Sequence, residues 1–126
     1  MAEGKKRADP LREQSLEFGV RIVGAARRLR DEHKEFSLAD QLMRSGTSIG
    51  ANLSEAVYAA SRSDFLNKNK IALKECSETL YWLHLLQRCN LIPKEDARSL
   101  WKTCDQLRRM IASVCKTLET TKGPTP

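Results

Sequence analysis

Apolar and small residues recur at alternating spacings of four and three in four separate stretches of the chain, the period at which one face of an α-helix repeats. The first stretch opens at Pro10, a residue suited to a first helical turn, and carries Leu11, Ser15, Phe18, Ile22, Ala25 and Leu29. The charged run Asp31 to Glu35 interrupts it. The second stretch follows Ser37, whose hydroxyl suits an N-cap, with Asp40 in the first turn. It sets Leu38, Leu42, Ser45, Ile49, Asn52 and Ala56 on one seam, with Gly46 and Gly50 a turn apart beside it. A face of small residues lets a neighbouring backbone approach closely, and packing there must offset about 1 kcal/mol of lost helix propensity per glycine. A tight connection near Ala60 to Ser63 leads into the third stretch, capped by Ser63 and running to near Cys89, with Leu66, Leu73, Cys76, Leu80, Leu83 and Gln87 on its seam. Asn90 suits a left-handed helix end, and Pro93 opens the fourth stretch, where Leu100, Cys104, Leu107, Ile111, Val114 and Leu118 repeat without interruption. Four long amphipathic segments on short connections predict an all-α fold, an antiparallel up-down four-helix bundle over residues 10–119. A disordered basic tail (1–9) and a disordered C-terminal tail (120–126) are expected to flank it.

Two of the four segments have an apolar face too many. Leu16, Val20 and Val23 cluster about half a turn from the first seam. On the third segment Ile71, Trp82, Leu85 and Cys89 gather away from the seam, together with Glu75 and Glu78. A lone bundle would leave both stripes wet, so they are read as contacts in a homo-oligomer. Tyr81 and Trp82 are the leading interface candidates, because aromatic residues dominate interface centres; filling of the subunit's own core is the competing account. Asn52 is an amide on a seam and is expected to bond across to a polar partner on another helix, specifying register.

Composition narrows the chemistry. A chain of 126 residues can bury roughly two-thirds of its unfolded surface without staples. No apolar run approaches the roughly 20 residues of a membrane span, and MAEGKKRADP lacks the apolar stretch of a secretory signal, so the expected compartment is the cytoplasm, with no membrane partner. Cys76, Cys89, Cys104 and Cys115 form no C-x-x-C pair and stand beside apolar residues, as buried or partly buried free thiols would. The net charge of +6 is uneven: Arg21, Arg27, Arg28 and Arg30 fall in ten residues without an acid, and from Pro93 onward seven Lys and Arg face four Asp and Glu. Arg98, Lys102, Asp105, Arg109 and Lys116 form a mostly basic outward stripe on the fourth helix. Such a surplus favours polyanions such as RNA, or acidic protein surfaces, over neutral partners.

A catalytic centre is not legible. Di-iron bundles need Glu-x-x-His pairs, yet Glu32 immediately precedes His33, and Tyr81 stands three residues before His84. RSGTSIG is no phosphate loop, since no Lys follows its last glycine. Glu55, Glu75 and Glu78 could gather as a carboxylate cluster with Lys68 and Lys74 as counter-charges, but paired structural charges explain them equally well. No enzyme activity, metal or cofactor is therefore expected.

The segment Ser48-Ile49-Gly50-Ala51-Asn52-Leu53-Ser54-Glu55-Ala56 resembles the S-I-x-A-N-I-A-E signature of bacterial four-helix-bundle proteins first associated with intervening sequences in 23S ribosomal RNA genes. The likeness continues through Ser61-Arg62-Ser63-Asp64-Phe65 and through Ile71 to Leu83, similar to the A-L-K-E-x-x-E-T-x-Y-W-L variant of that family, and covers the central two-thirds of the chain. Ala56 departs from the Gly that many members carry. The resemblance implies a small bundle assembling as a ring, typically a homopentamer. It also implies kinship with accessory proteins of diversity-generating retroelements, which bind a reverse transcriptase and nucleic acid through a basic outer surface. No catalytic residues carry over; Asn52, Glu55, Glu75 and Glu78 carry over as structural or interface polar groups. The expected function is binding of RNA or a nucleic-acid–protein complex, with Arg27, Arg28, Arg30, Arg98, Lys102, Arg109 and Lys116 on phosphates and Leu16, Val20, Val23, Ile71, Tyr81, Trp82 and Leu85 between subunits. The alternative is a protein–protein adaptor with an acidic partner.

Overall fold

The Asp9 side chain accepts the Arg12 N–H at 3.2 Å, and with Pro10 in the first turn this starts α1, Pro10–His33. The computed structural model describes residues 9–121, and its other helices are α2 (Phe36–Ala56), α3 (Arg62–Arg88) and α4 (Lys94–Thr120), with no strand among the described residues. Each helix packs on its neighbours in sequence and α4 returns to α1, which is the all-α up-down four-helix bundle expected; the α1–α4 seam is the sparsest of the four. The tails expected at 1–9 and 120–126 lie almost wholly outside the described residues; Asp9 caps α1 and Thr120 ends α4.

The connections follow local chemistry. Lys34, at φ 56°, takes the left-handed conformation that ends α1, so the charged run yields a two-residue break and no longer loop. Asn90 does the same after α3, as expected, at φ 60°. Two caps differ from expectation. α2 begins at Phe36 after Glu35 with no side-chain cap, leaving Ser37 inside the first turn. α3 is capped by Ser61, whose Oγ accepts the Asp64 N–H at 3.0 Å while Asp64 Oδ2 accepts the Ala60 N–H at 3.3 Å. That reciprocal pair satisfies two donors at once, an arrangement Ser63 cannot offer.

The core joins all four helices: Phe18, Ile22, Leu29, Leu42, Ile49, Leu83, Leu86, Leu107 and Ile111 are fully buried. The α1 seam is the expected one, with Ala26 added. At Gly46 and Gly50 α1 and α2 approach closely: a Cβ on Gly46 would stand 2.8 Å from the Ile22 side chain, and one on Gly50 3.2 Å from Ser15 Oγ. The α3 seam is rotated from its leucines. Asn69, Ala72, Cys76, Thr79, Leu83 and Leu86 are buried, while Leu66, Leu73 and Leu80 are half-buried against the core. The buried polar groups there are satisfied: Asn69 donates to the Phe65 carbonyl at 2.9 Å, and Thr79 donates to the Glu75 carbonyl at 2.8 Å and lies 3.0 Å from Ser45 Oγ. All four thiols are free; Cys89 is exposed, contrary to expectation, because α3 ends there, and the other three are buried.

Candidate functional site

The expected phosphate-binding residues divide between two regions. On α4, Arg98, Lys102, Arg109 and Lys116 are all exposed, and no carboxylate among the described residues pairs with Arg98, Lys102 or Lys116. Asp105, expected on the same outward stripe, is buried at 6% exposure. It accepts from Arg108 at 2.8 Å and lies 3.0 Å from Arg109, so the arginines on either side of the stripe cover it. The hydrogen bond from Arg108, aided by the charge of both guanidinium groups, holds its carboxyl below the usual range despite burial. The inward turn takes Asp105 out of the exposed row, and the remaining acid there, Glu95, lines a depression with Arg98 and Lys102 without pairing to either.

Arg27, Arg28 and Arg30 are exposed on α1 but do not extend the α4 row. Arg27 and Arg30 stand one and two turns beyond Val23, on the α2 side. Arg28 borders a depression shared with Asp96, at the start of α4. Between them Arg21 crosses to α4, donating to Ser99 at 2.7 Å and Thr103 at 3.1 Å.

The spare apolar face of α1 is real. Leu16 and Val20 are 63% and 66% exposed, and with Gly19, Val23, Gly50 and Ala51 they line a groove of about 640 Å³ between α1 and α2. The close approach of the two helices at Gly50 leaves α2 presenting only small residues there, so the α1 side chains overhang an open trough.

The spare face of α3 is only partly what the sequence suggests. Ile71, Trp82 and Leu85 are half-buried, and Trp82 packs on the core. Its indole N–H donates to Glu78 at 3.1 Å. Trp82 lies on the flank turned to α2, where Glu78 also meets Arg44, while Ile71 and Leu85 stay partly open. Tyr81 alone of this group is exposed, at 57%, with its ring edge-on to Trp82 at 5.1 Å.

The signature polar residues line the α2–α3 flank as paired charges. Arg44 bonds Glu78 and lies 3.3 Å from Glu75, while Lys68 lies 2.7 Å from Glu55. Arg44, and not Lys74, is the bridging cation for the α3 carboxylates. Hydrogen bonds from Arg44 and then Trp82 hold the Glu78 carboxyl low, and the Glu78 bond holds Arg44 high. Asn52 does not bond across helices: its Nδ2 donates to the Ser48 carbonyl of its own helix at 2.8 Å, because a half-buried amide can satisfy a donor on the carbonyl one turn back without a partner on another helix. No group of three or more His, Cys, Asp or Glu among the described residues could hold a metal ion. Hydrogen bonding to Cys76 and burial push the Cys104 thiol up, which suits a core residue.

Sequence reasoning missed Arg44 and Trp101. Trp101 is 40% exposed and borders a depression between α3 and α4 with His84, Gln87, Lys94 and Arg98. Its signal was present in Arg98-Ser99-Leu100-Trp101-Lys102, an aromatic residue set among cations.

No curated protein matches the chain. Among solved structures, a protein from Bacteroides thetaiotaomicron, described as of unknown function and from the S23 ribosomal protein family, superposes with a TM-score of 0.83 at 48% sequence identity, covering 85% of this chain and 99% of that one. Residues 11–113 match the family described as 23S rRNA-intervening sequence protein, a span reaching from the first turn of α1 to deep in α4, and the chain therefore belongs to that family.

Proposed function

We propose that this chain is a non-enzymatic helical bundle that assembles into a homo-oligomeric ring and holds RNA, or a complex of nucleic acid and protein, on outward-facing cations. The observation that carries the reading is the row of Arg98, Lys102 and Lys116 along α4, exposed and without a carboxylate partner among the described residues, on a chain of net charge +6. Charges already paired at home have little to gain from a phosphate, whereas these are free to neutralise phosphates and release the counterions condensed on the nucleic acid. The groove beside Leu16 and Val20 supports assembly, because apolar surface open to water favours a covering partner. Resemblance to the family suggests five copies, and kinship with retroelement accessory proteins suggests a reverse transcriptase as the protein in such a complex.

Filter binding of RNA over a salt series tests the reading. Retention is expected to fall steeply as salt rises and to vary little with sequence; replacing Arg98, Lys102 or Lys116 by Ala lowers the salt slope by roughly 0.7 to 1 each. Absence of retention even at low salt refutes RNA binding. A second reading, an adaptor for an acidic protein, draws on Arg27 and Arg30, which continue the Leu16–Val20–Val23 face of α1 and make it a mixed apolar and basic surface. Recovery of one stoichiometric protein after nuclease treatment favours it.

A further inference from the structure

The depression between α3 and α4 has chemistry that a row of phosphate contacts does not need. Trp101 forms one wall, with Arg98 and Lys94 one and two turns before it on the same face of α4 and with His84 and Gln87 opposite on α3. Its volume of about 280 Å³ lies just under the roughly 300 Å³ at which drug-sized sites begin, room for a single planar ring system. A wall that merely covered the α3–α4 seam would need no polar atom. Yet among the described residues the Trp101 indole N–H meets no protein acceptor, whereas that of Trp82 is held by Glu78. Indole, imidazole and guanidinium are the side chains on which unpaired bases stack, and the Gln87 amide offers a donor and an acceptor to a base edge. The floor is apolar, formed by Leu83 and Ala97, and the mouth is cationic.

We infer that this depression takes one unpaired base of a single-stranded RNA, stacked against Trp101, with Lys94 and Arg98 on the flanking phosphates. The inference rests on the RNA-binding reading and deepens it, from any phosphate backbone to strands whose bases are free to leave the stack. The row from Arg98 through Lys102 to Lys116 continues from the mouth along α4 and gives the rest of the strand a track.

The test is a tryptophan fluorescence titration of the full chain, at one fixed low salt concentration, with a 12-nucleotide single strand, the blunt duplex made from it, and polyglutamate. Single strand is expected to quench emission and to bind about 10-fold or more tighter than duplex. Trp101→Ala should remove most of that advantage and leave duplex affinity unchanged, while Trp101→Phe should keep part of the advantage and lose the quenching, which identifies Trp101 as the reporter. Equal affinity for the two RNAs, with emission and affinity indifferent to Trp101, overturns the inference and leaves the phosphate reading standing. No binding of either RNA removes both. Quenching by polyglutamate alone overturns the inference in favour of an acidic protein partner.

Discussion

Replacing Gly46 by Ala isolates the contact that sets the spacing of α1 and α2. In an unobstructed helix interior the change should stabilise, since Ala is favoured over Gly by about 1 kcal/mol. At Gly46 the new methyl would stand 2.8 Å from both Cγ1 and Cγ2 of Ile22 and 3.2 Å from its Cβ. These atoms belong to a β-branched, fully buried side chain whose χ1 has one strongly preferred setting in a helix, so the clash cannot be relieved by swinging a flexible tip. Overpacking of this kind costs about 1–3 kcal/mol, which offsets the propensity gain of about 1 kcal/mol and leaves a net loss of up to about 2 kcal/mol. Gly24 supplies the control, because a Cβ there meets nothing nearer than Arg28 Nη1 at 4.0 Å. Urea denaturation followed by circular dichroism, at one protomer concentration, should show Gly46→Ala with a lower midpoint and Gly24→Ala with an equal or higher one. A double-mutant cycle with Ile22→Ala, which removes both clashing γ carbons, should show coupling, the truncation costing less in the Gly46→Ala background than in the parent. If Gly46→Ala raises stability as Gly24→Ala does, the two helices are not in the contact described, and the account of the α1–α2 groove fails with it.

Val20→Asp should lower the assembly mass seen by light scattering while shifting monomer stability by no more than about 0.5 kcal/mol, since Val20 is 66% exposed; an unchanged mass removes that face from the assembly. Trp82→Ala, by contrast, should destabilise the subunit itself, because the indole packs on the core and holds Glu78; a variant with parental urea midpoint would contradict that placement. Asp105 and Glu78 both titrate lower in the folded chain than their ordinary values of 3.8 and 4.5, so the stability they contribute is full above those values and drains away as pH falls through the lowered ones. Acid unfolding of Asp105→Asn should therefore depend less on pH below about 4 than that of the parent, and a parallel curve would exclude the paired carboxylate. Ser61→Ala removes the α3 cap and should cost about 1 kcal/mol in thermal or urea unfolding, whereas Ser63→Ala should cost little; the reverse order would restore Ser63 as the cap.

The four helices, their order and most of their buried faces are determined by the sequence alone, because a 3.6-residue period states which side chains share a side of one helix whatever lies beyond it. The basic row on α4 and the spare apolar face of α1 were legible for the same reason. What the period cannot state is which flank of a helix meets which neighbour, or how closely. Only packing turned Asp105 inward beneath two arginines, set Trp82 against the core, and brought Arg44 of α2 to Glu75 and Glu78 of α3. Only packing, too, sent Asn52 back to its own backbone and separated Arg27 and Arg30 from the α4 cations. Each of those outcomes depends on distances between helices, and the distances follow from residues such as Gly46, Gly50, Ser45 and Thr79, whose small size sets how near two backbones come while adding almost nothing to the hydrophobic pattern.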